Sequence, residues 1–74
     1  MNDVYKALSN PVRREILACL RHGPLSAGAL ADRFDLAKPT LSGHFTVLKQ
    51  ANLIEAERDG TSIVYHLKLS VLEE

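Results

Sequence analysis

The chain carries a single cysteine, Cys19, in 74 residues. That excludes an internal disulfide and the paired-cysteine spacings that hold structural zinc, and a reducing cytoplasm is the compartment it fits. No basic segment followed by an apolar stretch opens the sequence, and no run approaches the roughly 18 apolar residues needed to cross a bilayer, so neither a leader nor membrane insertion is expected. Also missing are Gly-x-Ser-x-Gly, a glycine-rich phosphate loop, a paired-acid motif and a placed Cys-His couple; nothing points to an enzyme or a cofactor. Net charge is lacking too, because nine Lys and Arg balance nine Asp and Glu. Averaged over the chain, that balance counts against a nucleic-acid partner, whose affinity comes largely from cations at phosphates.

Averaging hides how the charges are placed. Residues 1 to 22 hold Lys6, Arg13, Arg14 and Arg21 against Asp3 and Glu15, and residues 36 to 54 hold Lys38 and Lys49 with no acid. The acids gather in Asp32 and Asp35, in Glu55, Glu57 and Asp59, and at Glu73 and Glu74. At 46% hydrophobic, the chain has apolar material for one compact core, and its length makes one domain, residues 1–74, of marginal stability alone. Dimerisation is the simplest remedy.

Punctuation by Asn, Pro, Gly and Ser divides the chain into short helices. Val4, Tyr5 and Leu8 recur at helical spacing. Asn10-Pro11 then combines a favoured N-cap with a proline suited to the first turn, predicting a helix to about His22 with Val12, Ile16, Cys19 and Leu20 on one stripe. Gly23-Pro24 stops it, and Ser26 caps the next helix, with Ala27, Leu30, Ala31 and Phe34 inward and a Leu25–Leu30 staple at its start. Asp35-Leu36-Ala37 is a turn of the length that joins two crossed helices. A helix from about Lys38 to Ala51 follows, with Leu41, Phe45 and Leu48 facing the core. After Leu53 the period changes to two; Asp59-Gly60 marks a hairpin between Ile54 and Leu67. Residues 70–74 read as the first turn of another helix.

Helix, helix, turn, helix, hairpin is the winged helix-turn-helix arrangement, mainly α with a small β-hairpin, the helix-turn-helix lying at about 26–51 and the wing at about 54–67. The helix beginning at Lys38 then stands where a recognition helix belongs. Rotating by about 100° per residue puts Pro39, Gly43, Thr46 and Gln50 opposite the core stripe, flanked by Lys38, Thr40, Ser42 and Lys49. That face is polar, small and free of acids. His44 lies nearer the buried side, where it is either a hydrogen-bonded structural histidine or a phosphate contact.

Three blocks carry a family likeness: Leu8-Ser9-Asn10-Pro11-Val12-Arg13-Arg14-Glu15-Ile16-Leu17; Lys38-Pro39-Thr40-Leu41-Ser42-Gly43-His44-Phe45 with Val47-Leu48-Lys49-Gln50-Ala51; and Arg58-Asp59-Gly60 through Tyr65. In that order they resemble the ArsR/SmtB family of bacterial repressors, most closely its SdpR-like, autorepressing members. The resemblance implies a homodimer on an inverted-repeat operator in double-stranded DNA. Ser26 and Gly28 occupy the positions where metal-sensing relatives carry Cys-x-Cys, so metal sensing at that site is not expected. A second family metal site, and part of the dimer contact, belong to a C-terminal helix of which residues 70–74 would be the first turn. Gly43 stands where many relatives have arginine.

Lys38, Pro39, Thr40, Ser42, Gly43, His44, Thr46 and Lys49 are therefore the candidate DNA-binding residues of the recognition helix, with Arg58 at the wing. Arg13 and Arg14 begin a helix whose N-terminus can face phosphate, and one of them is expected on DNA or on a neighbouring carboxylate. The acids around Arg58 weigh against its contact with DNA. Cys19 reads as a structural thiol. His22, His44 and His66 fall in different elements and suggest no metal site. Two other functions stay open: a winged-helix module that docks on protein, and a metal-responsive sensor with atypical ligands.

Overall fold

Residues with strong capping chemistry set the breaks between helices. In the computed structural model, which describes residues 2–68, the helices are α1 (Asn2–Leu8), α2 (Pro11–Leu20), α3 (Ala27–Arg33) and α4 (Lys38–Gln50). Strands β1 (Leu25–Ser26), β2 (Ile54–Asp59) and β3 (Ser62–Leu67) form an antiparallel sheet in the order β1-β3-β2. Asn10 holds an extended backbone before α2, and its Oδ1 accepts from the amides of Val12 at 2.8 Å and Arg13 at 3.3 Å. The Ser26 hydroxyl does the same for α3, accepting from Ala29 at 3.0 Å. Two otherwise orphaned helix-start donors are thereby satisfied in α2 and one in α3. α2 ends at Leu20, short of the expected His22, with Arg21 as its cap and Gly23 at φ 136°.

The end of α4 is set by a residue that the sequence reading passed over. Asn52 sits in the left-handed region at φ 60°, its amide donates to Lys49 O at 3.0 Å, and the Leu53 amide donates to Leu48 O at 3.1 Å. This is the Schellman pairing, with asparagine in the place glycine usually takes. It turns the chain so that Leu53 and Ile54, 1% and 2% exposed, enter the core at the start of β2.

The wing also differs in detail from its expected form. Asp59 pairs with Ser62, so the two turn residues are Gly60 and Thr61 rather than Asp59 and Gly60. Gly60 alone of the pair has positive φ, at 63°. Glycine at the first central position is the type II′ requirement, and such turns suit the twist of a hairpin. The two-residue β1, too short to register as a period, pairs Leu25 with Tyr65 and Ser26 with Val64. It ties the start of α3 to the wing.

The core draws on every helix and on β2 and β3: Ala7 from α1, Ile16 and Leu20 from α2, Leu30 from α3, Leu41, Phe45 and Leu48 from α4, and Ile54 and Tyr65 from the sheet. Complete burial of a leucine or isoleucine contributes roughly 1.5–3 kcal/mol, so the α4 stripe outweighs any single cap. The helical turn expected at residues 70–74 lies outside the described residues. Because Asn52 must hold a left-handed backbone, Asn52→Ala is expected to cost about 1 kcal/mol while Asn52→Gly leaves stability unchanged or higher. Urea unfolding of both variants checks this; equal losses would show that the backbone conformation does not carry the cap.

Candidate nucleic-acid interface

α4 presents two chemically different sides because its apolar residues recur every three to four positions. Leu41, Phe45 and Leu48 are buried, whereas Lys38, Pro39, Thr40, Ser42, Gly43, Thr46 and Lys49 are exposed and His44 is half-buried. The structure thus brings the candidate residues of this helix together on one acid-free surface. The Thr46 hydroxyl donates to Ser42 O at 3.1 Å within the helix. A Cβ added at Gly43 would meet nothing within 4 Å, so no packing inside the protein demands glycine there.

Phe45 and Tyr65 join the recognition helix to the wing, with ring centroids 4.4 Å apart and planes tilted by 31°. Aromatic pairs of this kind contribute about 0.5–1.5 kcal/mol beyond burial. Burial raises the Tyr65 phenol above its ordinary pKa, which keeps it neutral.

The register of the hairpin separates Arg58 from the acids beside it in sequence. Directly opposed residues share a face of the sheet, so Arg58 lies with Ile63, Ala56 and Tyr65 on the side that packs toward α4. Glu55, Glu57 and Asp59 lie on the other side. There His66 Nε2 stands 3.2 Å from Glu57 and 3.8 Å from Glu55, and Lys68 Nζ stands 3.8 Å from Glu55. Cross-strand pairing thus gives His66 two carboxylate neighbours that its position in the sequence does not suggest. Among the described residues, no group of three or more His, Cys, Asp and Glu side chains is arranged to hold a metal ion.

Among the described residues, Arg13 and Arg14 pair with backbone carbonyls rather than with a carboxylate. Arg13 Nε donates to Ala7 O at 2.9 Å and Nη2 to Lys6 O at 2.8 Å, and Arg14 Nη1 donates to Leu8 O at 2.7 Å. Both cations close the last turn of α1, where carbonyls lack intrahelical partners and the helix dipole favours positive charge. The third arm of Arg13 reaches the recognition helix: Nη1 lies 3.2 Å from His44 Nδ1. Spacing along the chain held no signal for this contact, since 31 residues separate the partners.

A family model described as a helix-turn-helix domain matches residues 8–57. The transcriptional repressor SdpR of Bacillus subtilis is 45% identical over 74 residues, covering all of this chain and 82% of its own length. The chain belongs to the ArsR family of winged helix-turn-helix transcriptional regulators. An ArsR-like transcriptional regulator from Rhodococcus superposes with a TM-score of 0.87 at 30% identity, over 97% of this chain and 66% of its own. A homodimeric winged helix-turn-helix DNA-binding domain from Mycobacterium bovis, described as a possible ArsR-family regulator, gives 0.84 at 34% identity, over 90% and 62%. In this ArsR-family chain Ser26 caps α3 and Gly28 has no side chain, so neither position offers a thiolate. No helix among the described residues is long and apolar enough to cross a membrane.

Burial, and then the adjacent Arg13 guanidinium, hold the His44 imidazole below its ordinary value of 6.5. On acidification the unfolded chain takes up this proton first, so the share of stability due to neutral His44 is present above 6.5 and is lost as pH falls through the lower folded-state pKa. Unfolding measured from neutral to mildly acid pH is expected to show this loss in the wild type and a smaller one in His44→Gln. An equal pH dependence in both proteins would refute the assignment.

Proposed function

We propose that the chain is a cytoplasmic, sequence-specific transcriptional repressor of the ArsR type, autoregulatory and not metal-responsive, which binds an inverted repeat in double-stranded DNA as a homodimer. The observation that carries this reading is the exposed, acid-free side of α4, held outward by the buried Leu41, Phe45 and Leu48. In this reading α4 enters the major groove. Lys38, Thr40, Ser42 and Gly43 lie in its leading half with Pro39, where base edges are read, and His44, Thr46 and Lys49 approach the DNA backbone. Arg58 contributes from the wing, on the sheet face directed toward α4. Arg13 and Arg14 serve the surface by fixing α1 rather than by reaching phosphate.

Similarity to SdpR supports repression, and the homodimeric Mycobacterium bovis domain supports the assembly. α1 adds a physical reason for pairing, because Tyr5 is 73% and Leu8 38% exposed on it. Recognition helices of such a dimer would enter successive major grooves about one helical turn apart.

Selection from a randomised duplex pool, followed by anisotropy titration at two salt concentrations, tests the reading. Affinity should fall steeply with salt, and Lys38→Glu should weaken it by about tenfold or more and flatten the salt slope by about one per lost phosphate contact. Absent or salt-independent binding would overturn the proposal, and undiminished function in Lys38→Glu would favour a protein-docking module. Gly43→Ala separates fold from recognition: it is expected to stabilise the free protein by roughly 1 kcal/mol through helix propensity yet to weaken DNA binding by crowding the duplex. Unchanged affinity would assign Gly43 no role in close approach.

A further inference from the structure

We propose that Arg13 is a positioning residue for His44, fixing the imidazole as its Nε2–H tautomer so that the recognition helix meets a DNA phosphate oxygen with a neutral N–H donor. The inference rests on the DNA-binding reading above, and its first half concerns the free protein alone.

Two contacts hold the guanidinium in one orientation. Nε and Nη2 donate to the carbonyls of Ala7 and Lys6 at 2.9 and 2.8 Å, and the Lys6 carbonyl is also met by the Ser9 hydroxyl at 2.7 Å. Nη1 is left directed at His44 Nδ1, 3.2 Å away. Arginine has donors and no acceptor, so Nδ1 must be the acceptor and cannot carry a proton. The ring proton therefore sits on Nε2, which has no protein partner among the described residues. His44 is half-buried on α4, one residue along from the exposed Gly43 and two before the exposed Thr46. A ring anchored at Nδ1 and free at Nε2 in that place suits a phosphate oxygen, the commonest polar partner of DNA-bound proteins.

The charge around the ring favours the same state. From α2 the group that faces it is the Arg13 cation, and from α1 it is the pair of carbonyls behind that cation. Along α4 the residues a turn away, Thr40, Leu41, Val47 and Leu48, do not titrate. A proton on Nδ1 would place two cationic groups in contact and break the hydrogen bond. Burial and Arg13 both lower the pKa accordingly. This is a different use of histidine from an imidazolium that pairs with phosphate by charge, and the two differ in sign with pH: an imidazolium contact tightens on acidification, whereas this one does not.

Nitrogen NMR of the imidazoles in the full chain, with exposed His22 as the internal reference, tests the first half. His44 is expected to show an unprotonated Nδ1 and a protonated Nε2 more completely than His22, and Arg13→Gln and Arg13→Lys to return it to the His22 pattern. A His44 pattern equal to that of His22 in the wild type overturns the proposal, and needs no variant to fold. For the second half, binding to a selected operator duplex is measured by anisotropy. His44→Ala should weaken it by about tenfold, His44→Gln, whose amide N–H stands near the place of Nε2–H, should recover part of that loss, and Arg13→Gln should gain affinity on acidification where the wild type gains less. Wild-type affinity in His44→Ala overturns the phosphate role. Failure of the wild type to bind any duplex would instead refute the DNA-binding reading, leaving the tautomer result to stand.

Discussion

Everything the exposed side of α4 can do depends on the packing of its other side, and the decisive contact there is Phe45 on Tyr65. Leu41 and Leu48 pin the helix to the helical core, and the ring pair, 4.4 Å between centroids, joins its middle to β3, while Leu53 and Ile54 bury the start of β2 in the same core. The Asn52 cap fixes how the chain leaves the helix, and the ring pair fixes the returning strand against it. Ile63 and Tyr65 of the wing and Lys38, Leu41, Ser42 and Phe45 of α4 thereby line one shallow hollow. Precision of this kind matters because direct base contacts require side chains placed within hydrogen-bond reach of base edges.

A second brace reaches α4 from behind. Arg13 links the last turn of α1 to His44, so the position of α1 is coupled to the recognition helix by a rigid, planar side chain rather than by apolar contact alone. α1 is also where Tyr5 and Leu8 are exposed. A partner that settles on α1 would therefore act on the same element whose carbonyls orient Arg13. Lysine could not substitute, since one ammonium cannot meet two carbonyls and an imidazole in that fixed fork.

Much of this architecture was legible in the sequence because it is encoded locally. Asn10-Pro11 and Ser26 announced two helix starts, and the spacing of Leu41, Phe45 and Leu48 identified the buried side of α4 and hence the exposed one. What escaped was either brief or distant. β1 is two residues long and has no period, and Asn52 caps α4 by a backbone conformation that asparagine adopts less often than glycine. Asp59-Gly60 marked the hairpin correctly, but one residue of register decides which pair forms the turn, and cross-strand hydrogen bonds set that register. The expectation that Arg13 or Arg14 meets DNA or a carboxylate came from their place at a helix start, a local feature, while their carbonyl partners and the approach of Arg13 to His44 are tertiary ones.

The zero net charge says least about a nucleic-acid partner, and alternation along β2 supplies one physical reason. Glu55, Glu57 and Asp59 would repel DNA if they shared a face with Arg58, and composition alone cannot separate them. The pleat does, by sending successive side chains to opposite sides of the sheet. The acids then share their side with His66 and Lys68, and the Lys68 ammonium, 3.8 Å from Glu55, offsets part of their field where it arises. Charges a Debye length from the acid-free side of α4, roughly 8–10 Å in ordinary salt, are largely screened there. A neutral chain can thus carry a locally cationic surface, and the quantity that bears on a nucleic-acid partner is the charge of one face, which only the fold defines.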